Sequence, residues 1–370
     1  MSVAIKQDYL PFKHVINHDI MNCTAEGVVG NHLYSGRALG ISQPWDIIQL
    51  HPHLKYLWQA IIAHYQRIGL RHSHQVIWDL DLHHIGAHVG YHASVFYFGI
   101  QECRYWGDSQ YMETVEFINS KNNFMQLAEQ LGVDVPKTQG FESSADIDNT
   151  IIDTATYPCY LKAAISVSGV GIYRCEDKTA LRYALSQFDK DTPLQLQEEI
   201  ITDIFLNLQY QIVGDTLYRL TASEQILDGF VHQGNRVPAR YAPWESVDPM
   251  AYWLKDQGMK GIFAFDVAVM QTDRGLRFPA IECNPRFNGA SYPTLIAEKL
   301  AIRNWSAISV STKHRSLAEI DLEGIEFNKN TGEGVVMVNW GTILVGKLTF
   351  LLAGSDAYQQ AVTIELMTRL

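Results

Sequence analysis

The chain has 370 residues, 47% of them hydrophobic and 19% charged, which excludes a disordered chain and allows two or three packed units. A net charge of −11 and a pI near 5.7 argue against nucleic acid or an anionic membrane as the partner, although a local cluster of cations can still bind a small anion in an acidic protein. Five widely spaced cysteines without a CxxC point to reduced thiols in the cytoplasm, MSVAIKQDYLPFKHV lacks the apolar core of a signal peptide, and no apolar run approaches the roughly 20 residues of a membrane span.

In chain order, DIIQL (46–50), QVIWDL (75–80) and SVFYFGI (94–100) read as strands, with a helix at LKYLWQAIIAHYQRIG (54–69) between them. This alternation predicts an α/β region up to about residue 115. It has no GxGxxG, so a dinucleotide site is not supported. His84, His88 and His92 fall at i, i+4 and i+8. Gly86 and Gly90 interrupt that helix and no acid or Cys completes a zinc shell, so these are expected to be core or surface histidines.

A helix then starts at the N-cap Ser120, with Phe124, Leu127, Ala128 and Leu131 on one face, Gly132 just past its end and Pro136 beyond. YPCYLKAAI (157–165) and GIYRCED (171–177) read as strands flanking the small-residue loop SVSGVG (166–171), and PLQLQEEII (193–201) as another. NLQYQIVGDTLYRLTASEQI (207–226) predicts a hairpin turning at Gly214-Asp215, and the polar stretch 221–241 a surface loop. GIFAFDVAVM (261–270) and LRFPAIECN (276–284) predict a second hairpin, turning at Asp273-Arg274-Gly275. GKLTFLLAG (346–354) closes the strands, and SDAYQQAVTIELMTRL is a final helix.

The second hairpin carries the chemistry. A three-residue loop with Gly275 in the left-handed region centres the ladder on Arg274, so Asp266 and Glu282 face each other. Facing residues have Cβ atoms roughly 4.5–5.5 Å apart, where like charges repel. Asn284 lies two residues on, hence on the same face. Two carboxylates and an amide oxygen are hard donors that suit Mg²⁺ or Mn²⁺ over Zn²⁺. Arg286, just past the strand, is placed to reach a phosphoryl oxygen.

Phosphate needs a cradle. In SVSGVG, Gly169 and Gly171 allow close backbone approach, and Ser166 and Ser168 add hydroxyl donors. Lys162 ends an apolar strand four residues before this loop, where a buried cation calls for an anion. Lys121 stands in the first turn of a helix, unfavourable for a cation without an anionic partner. Gln197-Glu198-Glu199 ends a strand whose backbone is free to pair with a purine edge.

The order of these parts resembles the ATP-grasp superfamily, the carboxylate–amine and carboxylate–thiol ligases. Lys121 resembles the first ATP-binding lysine and Lys162 the second, SVSGVG the lid over the phosphates, and Gln197-Glu198-Glu199-Ile200-Ile201 the adenine hinge. Asp266 in FAFDV with Glu282 and Asn284 in IECNPR resembles the metal-binding set, and Arg286 the arginine on the transferred phosphoryl group. The match covers residues 116 to about 300, and the Asp…ExNPR pattern is its most specific part. TDIFLN departs from it, with Ile204 and Phe205 where a ribose-binding acid is common and Asp203 as the nearest substitute.

The resemblance implies an α/β (α+β) ATP-grasp fold with nucleotide between two α+β subdomains. Residues 1–115 form an α/β N-terminal domain, 116–200 the lid subdomain and 201–370 the C-terminal subdomain with the metal site. It implies an ADP-forming ligase that uses ATP and Mg²⁺ (or Mn²⁺) to join a carboxylate to an amine through an acyl phosphate. The expected substrates are an amino acid or short peptide, the catalytic groups Arg286 and Lys162, and the assembly a homodimer. Ser166, Ser168, Gly169, Gly171, Glu198, Glu199, Ile201, Lys121 and Lys162 are the expected nucleotide contacts. Arg236, Arg240 and Asn288-Gly289 are candidates for a substrate carboxylate. A small-molecule kinase and a non-catalytic ATP sensor are the alternatives.

Overall fold

The computed structural model describes residues 12–24, 28–166, 171–229 and 231–370. Three large sheets organise them, beside a two-stranded ribbon, Met270–Thr272 with Gly275–Arg277. The first is parallel, in the spatial order Gln75–Ile77, Ile47–Gln49, Lys13–Asn17, Tyr91–Val95. Val15, Ile16, Ile47 and Ile48 are all buried, as expected where helices cover both faces of a parallel sheet. SVFYFGI was expected to be a strand throughout. Its strand instead stops at Val95, because the Glu102 carboxylate accepts the Gly99 N–H at 3.0 Å and starts a helix, Ile100–Trp106.

The helix Lys121–Gln130 begins where its cap predicts: the Ser120 hydroxyl accepts the Asn123 N–H at 3.5 Å, and Gly132 sits at φ +69° beyond its end. The second sheet is antiparallel, in the order Thr138–Phe141, Leu194–Glu198, Cys159–Ala163, Ile172–Cys175. It has a core of its own, built from Phe141, Leu161, Leu181 and Leu194.

The third sheet has eight antiparallel strands, in the order Ala280–Asn284, Gly261–Ala268, Phe205–Val213, Thr216–Asp228, Val231–Val237, Trp305–Ser311, Lys347–Ala353, Gly334–Asn339. The turn at Gly214-Asp215 is as read, with Val213 paired to Thr216. The stretch 221–241 is not a surface loop. Most of it belongs to the two strands Thr216–Asp228 and Val231–Val237, whose polar side chains face a cavity.

The hairpin carrying the acids differs from the expectation in a way that preserves the conclusion. Thr272 pairs with Gly275, so the turn is the two residues Asp273-Arg274, with Gly275 at φ +110° just outside it. By itself that turn shifts the register by one and separates the acids. The ladder slips between Asp266 and Val267: Val267 pairs with Ala280 but Asp266 with Glu282, leaving Ile281 as the extra residue of a bulge. The bulge restores the facing pair.

Two large cores tie the sheets together. Leu33, Leu39, Ile61 and Tyr65 from the N-terminal region share one with Trp305, Val336, Trp340 and Phe350. Val115, Ile118 and Phe124 share the other with Leu206, Tyr210, Phe263 and Phe265. The parallel sheet region and the eight-stranded sheet are therefore packed directly on one another. A cavity of about 560 Å³ opens over the polar side of the larger sheet.

Candidate active site

Asp266 sits in the middle of Gly261–Ala268, flanked by strands that each supply an amide. Asn207 Nδ2 donates to one carboxylate oxygen at 2.7 Å and Asn284 Nδ2 to the other at 3.1 Å. Glu282 faces it across the ladder, half-buried. Pro285 has no N–H to extend the ladder, so the chain leaves the sheet there and releases Arg286 into the cavity.

Cations close the other side. Lys121 Nζ lies 3.0 Å from Glu282 Oε2 and donates to Ser166 Oγ at 3.2 Å. Lys162 is buried and donates to Gln197 Oε1 at 2.6 Å, while Gln197 Nε2 donates to Thr138 Oγ1 at 2.9 Å. The helix-start position that looks unfavourable for Lys121 is thus resolved by a carboxylate.

The electrostatics separate the two acids. Burial first, and then the Glu282 charge, push Asp266 up to about 7 against the pull of its two amides and Arg286. Burial also works against the charged form of Glu282, but Lys121, Lys162 and Arg286 together hold it below the usual glutamate range. Burial lowers Lys162 to about 8, with Glu282 opposing and Lys121 adding to the shift. A pair of half-buried acids that cannot comfortably ionise together, with hard oxygen donors on one face, is a donor set suited to a divalent cation.

The predicted residues divide into two groups. Lys121, Ser166, Asp266, Glu282, Asn284 and Arg286 line one cavity, and Lys162 touches it through its field on Glu282. Gly171 (φ +73°), Glu198, Glu199 and Ile201 do not line it. Glu198 accepts the Lys137 N–H at 2.9 Å, Glu199 is held by Arg174 and Tyr160, and Ile201 is exposed. Ser168 and Gly169 lie outside the described residues.

Arg236 and Arg240, expected to hold a substrate carboxylate, are instead committed to the buried Glu224, with Nε contacts of 2.9 and 2.8 Å. Asn288 and Gly289 do line the cavity. The helical histidine face does not exist: the helix His83–Ala87 ends before His88, and His92 is in the strand Tyr91–Val95. Among the described residues a different trio, His32, His51 and His53, brings ring nitrogens within 4.8 Å of one another. His51 Nδ1 already accepts the His53 N–H at 3.2 Å.

Asn207 was missed by the sequence reading. The available signal was the alternation Asn207, Gln209, Gln211 along an otherwise apolar strand, which marks a polar face inside the protein. Arg37, which reaches the cavity from the 3₁₀ stretch Asn31–Ile41, was missed as well.

The architecture has known counterparts. The chain aligns over 99% of its length with all of an ADP-bound N5-carboxyaminoimidazole synthetase from Staphylococcus aureus, at TM-score 0.61 and 13% identity. An ATP-bound carboxyaminoimidazole ribonucleotide synthase from Aspergillus clavatus aligns at TM-score 0.55 and 12% identity, over 90% of this chain and 99% of that one. The chain has the ATP-grasp fold. The biotin carboxylase domain of a Hydrogenobacter thermophilus 2-oxoglutarate carboxylase, solved with MgADP and bicarbonate, has it too, at TM-score 0.54 and 14% identity over 94% of this chain and 87% of that one. No family profile and no curated protein matches the sequence. Among the described residues no helix is long and apolar enough to cross a membrane, and all five cysteines are free thiols.

Proposed function

We propose that the protein is an ATP-dependent ligase that activates a carboxylate as an acyl phosphate and passes the acyl group to an amine, releasing ADP and phosphate. The observation that carries this reading is the meeting of Asp266, Glu282 and Asn284 with Lys121 and Arg286 in one cavity of an ATP-grasp fold. In this reading residues 1–115 are the N-terminal domain, 116–200 the lid and 201–370 the subdomain with the metal site. Asp266, Glu282 and Asn284 hold Mg²⁺ or Mn²⁺, which when bound neutralises phosphate charge. Lys121, Lys162 and the Ser166–Gly171 loop bind the phosphates, and residues 198–201 border the adenine.

Phosphoryl transfer asks for positioning and charge neutralisation more than covalent help. A substrate carboxylate oxygen attacks the γ-phosphorus and ADP leaves. Arg286 steadies the charge on the moving phosphoryl group, and Lys162, whose charge is felt at Glu282, adds a second positive field. The amine then attacks the acyl carbon, phosphate leaves, and the amine loses a proton. In this reading the Ser/Gly loop is the lid that keeps water from the acyl phosphate.

The carboxylate is an amino acid, a short peptide or bicarbonate. Bicarbonate belongs in the set because one structural counterpart was solved with it, and another was solved with 5-aminoimidazole ribonucleotide. A homodimer, as in the Hydrogenobacter domain, is part of the same reading.

The test is phosphate release from Mg-ATP across amino acids, short peptides and bicarbonate, singly and in pairs, with ADP and AMP resolved. ADP and phosphate that appear only with an acid–amine pair support the ligase, and Glu282→Ala then abolishes the release. ADP without free phosphate, from a hydroxyl compound alone, indicates a kinase. AMP, or undiminished turnover by Glu282→Ala, removes the reading.

A further inference from the structure

Beside Arg286 the cavity is lined by a second, buried cation, Arg37, that forms no ion pair among the described residues. Arg37 is 7% exposed, and its Nε and Nη2 have no hydrogen-bond partner. The rings of Tyr34, Phe96 and Tyr292 surround its guanidinium, with centroids 5.1, 4.6 and 4.3 Å from Cζ. No carboxylate among the described residues forms an ion pair with it. Asp19 feels its charge, yet Asp19 Oδ1 is itself buried without a hydrogen-bond partner. Ring faces recover part of the hydration that a guanidinium loses, but a buried charge without an anion is a standing cost to the fold.

The surroundings repeat the pattern. Asn207 and Asn339, 4% and 5% exposed, line the same cavity, and each has an Oδ1 with no partner; Asn288 Nδ2 there is also unpartnered. Unsatisfied buried amides and an unpaired buried arginine around one cavity mark a place where a polar ligand completes the bonding. Arg286 shares the Phe96 ring at 5.4 Å, and its charge is felt at both Asp266 and Glu282. The Arg37 charge is felt at His18 and Asp19. Both charges are felt at Cys23 and Tyr292, so the two guanidinium groups are neighbours at the Phe96 ring, with Arg286 on the side of the acids.

We propose that Arg37 holds an oxyanion of the substrate, a carboxylate or phosphate distinct from the carboxylate activated beside Arg286, with Asn288 and Asn339 hydrogen-bonding the same molecule. The proposal rests on the ligase reading for its second carboxylate. It assigns to Arg37 the anion-recognition role that Arg236 and Arg240 cannot fill while they hold Glu224. The substrate it predicts is bifunctional, with one end reacting and an anion at the other. The site is completed only by the N-terminal region, which supplies Tyr34, Arg37 and Phe96.

The experiment is calorimetric titration of the full chain with inorganic phosphate and, separately, with acetate, with and without Mg-ADP, at fixed ionic strength in chloride-free buffer. One of the two anions binds the native protein, and Arg37→Met weakens it at least about tenfold. Arg37→Lys, which keeps the charge but not the fork, falls between. Mg-ADP affinity is the same in all three proteins. Phosphate as the ligand indicates a phosphorylated substrate, and acetate a dicarboxylate or amino-acid-like one. Met replaces an unpaired buried charge, so the unliganded variant melts at or above the native temperature. Equal anion binding by native and Arg37→Met overturns the proposal, as does a native protein that binds neither anion. A lowered melting temperature with unchanged anion binding makes Arg37 a packing residue. Loss of Mg-ADP binding by the native protein refutes the nucleotide reading instead, whatever the anions do.

Discussion

Asp266 and Glu282 face each other with half-buried carboxylates, and only the surrounding amides and lysines make that tolerable. Like charges directly opposite on a ladder destabilise a sheet. Replacing Asp266 by Asn removes the repulsion while keeping the shape. We expect Asp266→Asn to release phosphate from Mg-ATP at least about 100-fold more slowly, the scale of losing one preorganised electrostatic group at a phosphoryl site. In EDTA its melting temperature holds or rises. A clear drop in that temperature with turnover intact would mean the acids serve the fold and not a metal. Lys162 gives a second residue-scale test. Its ammonium is buried and donates to the Gln197 side-chain amide, so Lys162→Met weakens Mg-ADP binding while scarcely lowering stability, read by calorimetry and thermal melting on the same sample.

Elements meet through a small number of polar clamps. The helix Trp58–Arg67 is fastened to the segment preceding the strand Gly334–Asn339 by Glu326, which accepts from His64 Nδ1 at 2.6 Å and from Arg67 Nε and Nη2 at 2.8 Å each. His64 Nε2 in turn accepts the Met337 N–H at 3.0 Å, so the ring is neutral with its proton on Nδ1. Burial opposes the Glu326 charge, but the bonds from His64 and Arg67 outweigh it and hold the carboxyl at about 2. A carboxylate whose pKa is depressed by folding stabilises the native state above its unfolded value, and that contribution is lost as pH falls toward the folded one. Glu326→Gln is therefore expected to lose about 1–3 kcal/mol at neutral pH. The gap between native and variant narrows as pH drops from the ordinary glutamate range toward 2. Denaturant melts at several pH values read both; a gap that is constant with pH would show the clamp to be uncharged.

Across the whole molecule, the N-terminal region is not an appendage. Its Leu33, Leu39, Ile61 and Tyr65 share a core with Val336, Trp340 and Phe350 from the far end of the chain. Cutting after residue 115 uncovers that face of the eight-stranded sheet, and apolar patches of that kind drive aggregation. A 116–370 fragment is expected to be insoluble or to lack a cooperative melt, whereas two separately folding units would give a soluble fragment with its own transition. The second sheet has a core of its own around Phe141, Leu161 and Leu194.

What could be read from the sequence was local. Ser120, Gly132 and Pro136 delimit a helix because caps and breakers act over a few residues, and Gly214-Asp215 sets a two-residue turn for the same reason. Asp266, Glu282, Asn284 and Arg286 were legible because a hairpin brings residues near in sequence into register, and the resemblance of IECNPR to a known pattern reinforced it. Even there the reasoning missed a step: the turn is one residue shorter than expected, and the bulge at Ile281 repays the difference. Bulges depend on how a strand packs on its neighbours, which no local pattern displays. Asn207 joins Asp266 across a strand pair whose members lie 59 residues apart, and Arg37 enters from the first sheet region to a cavity floored by the third. Arg236 and Arg240 looked free in the sequence and are neutralised by Glu224 on the paired strand. The sequence by itself therefore determined which chemical groups the protein owns and the short hairpin that pairs two of them. Tertiary structure alone decided which cations are spent on internal partners and which stay unpaired, because burial and charge pairing are properties of surfaces brought together from distant parts of the chain.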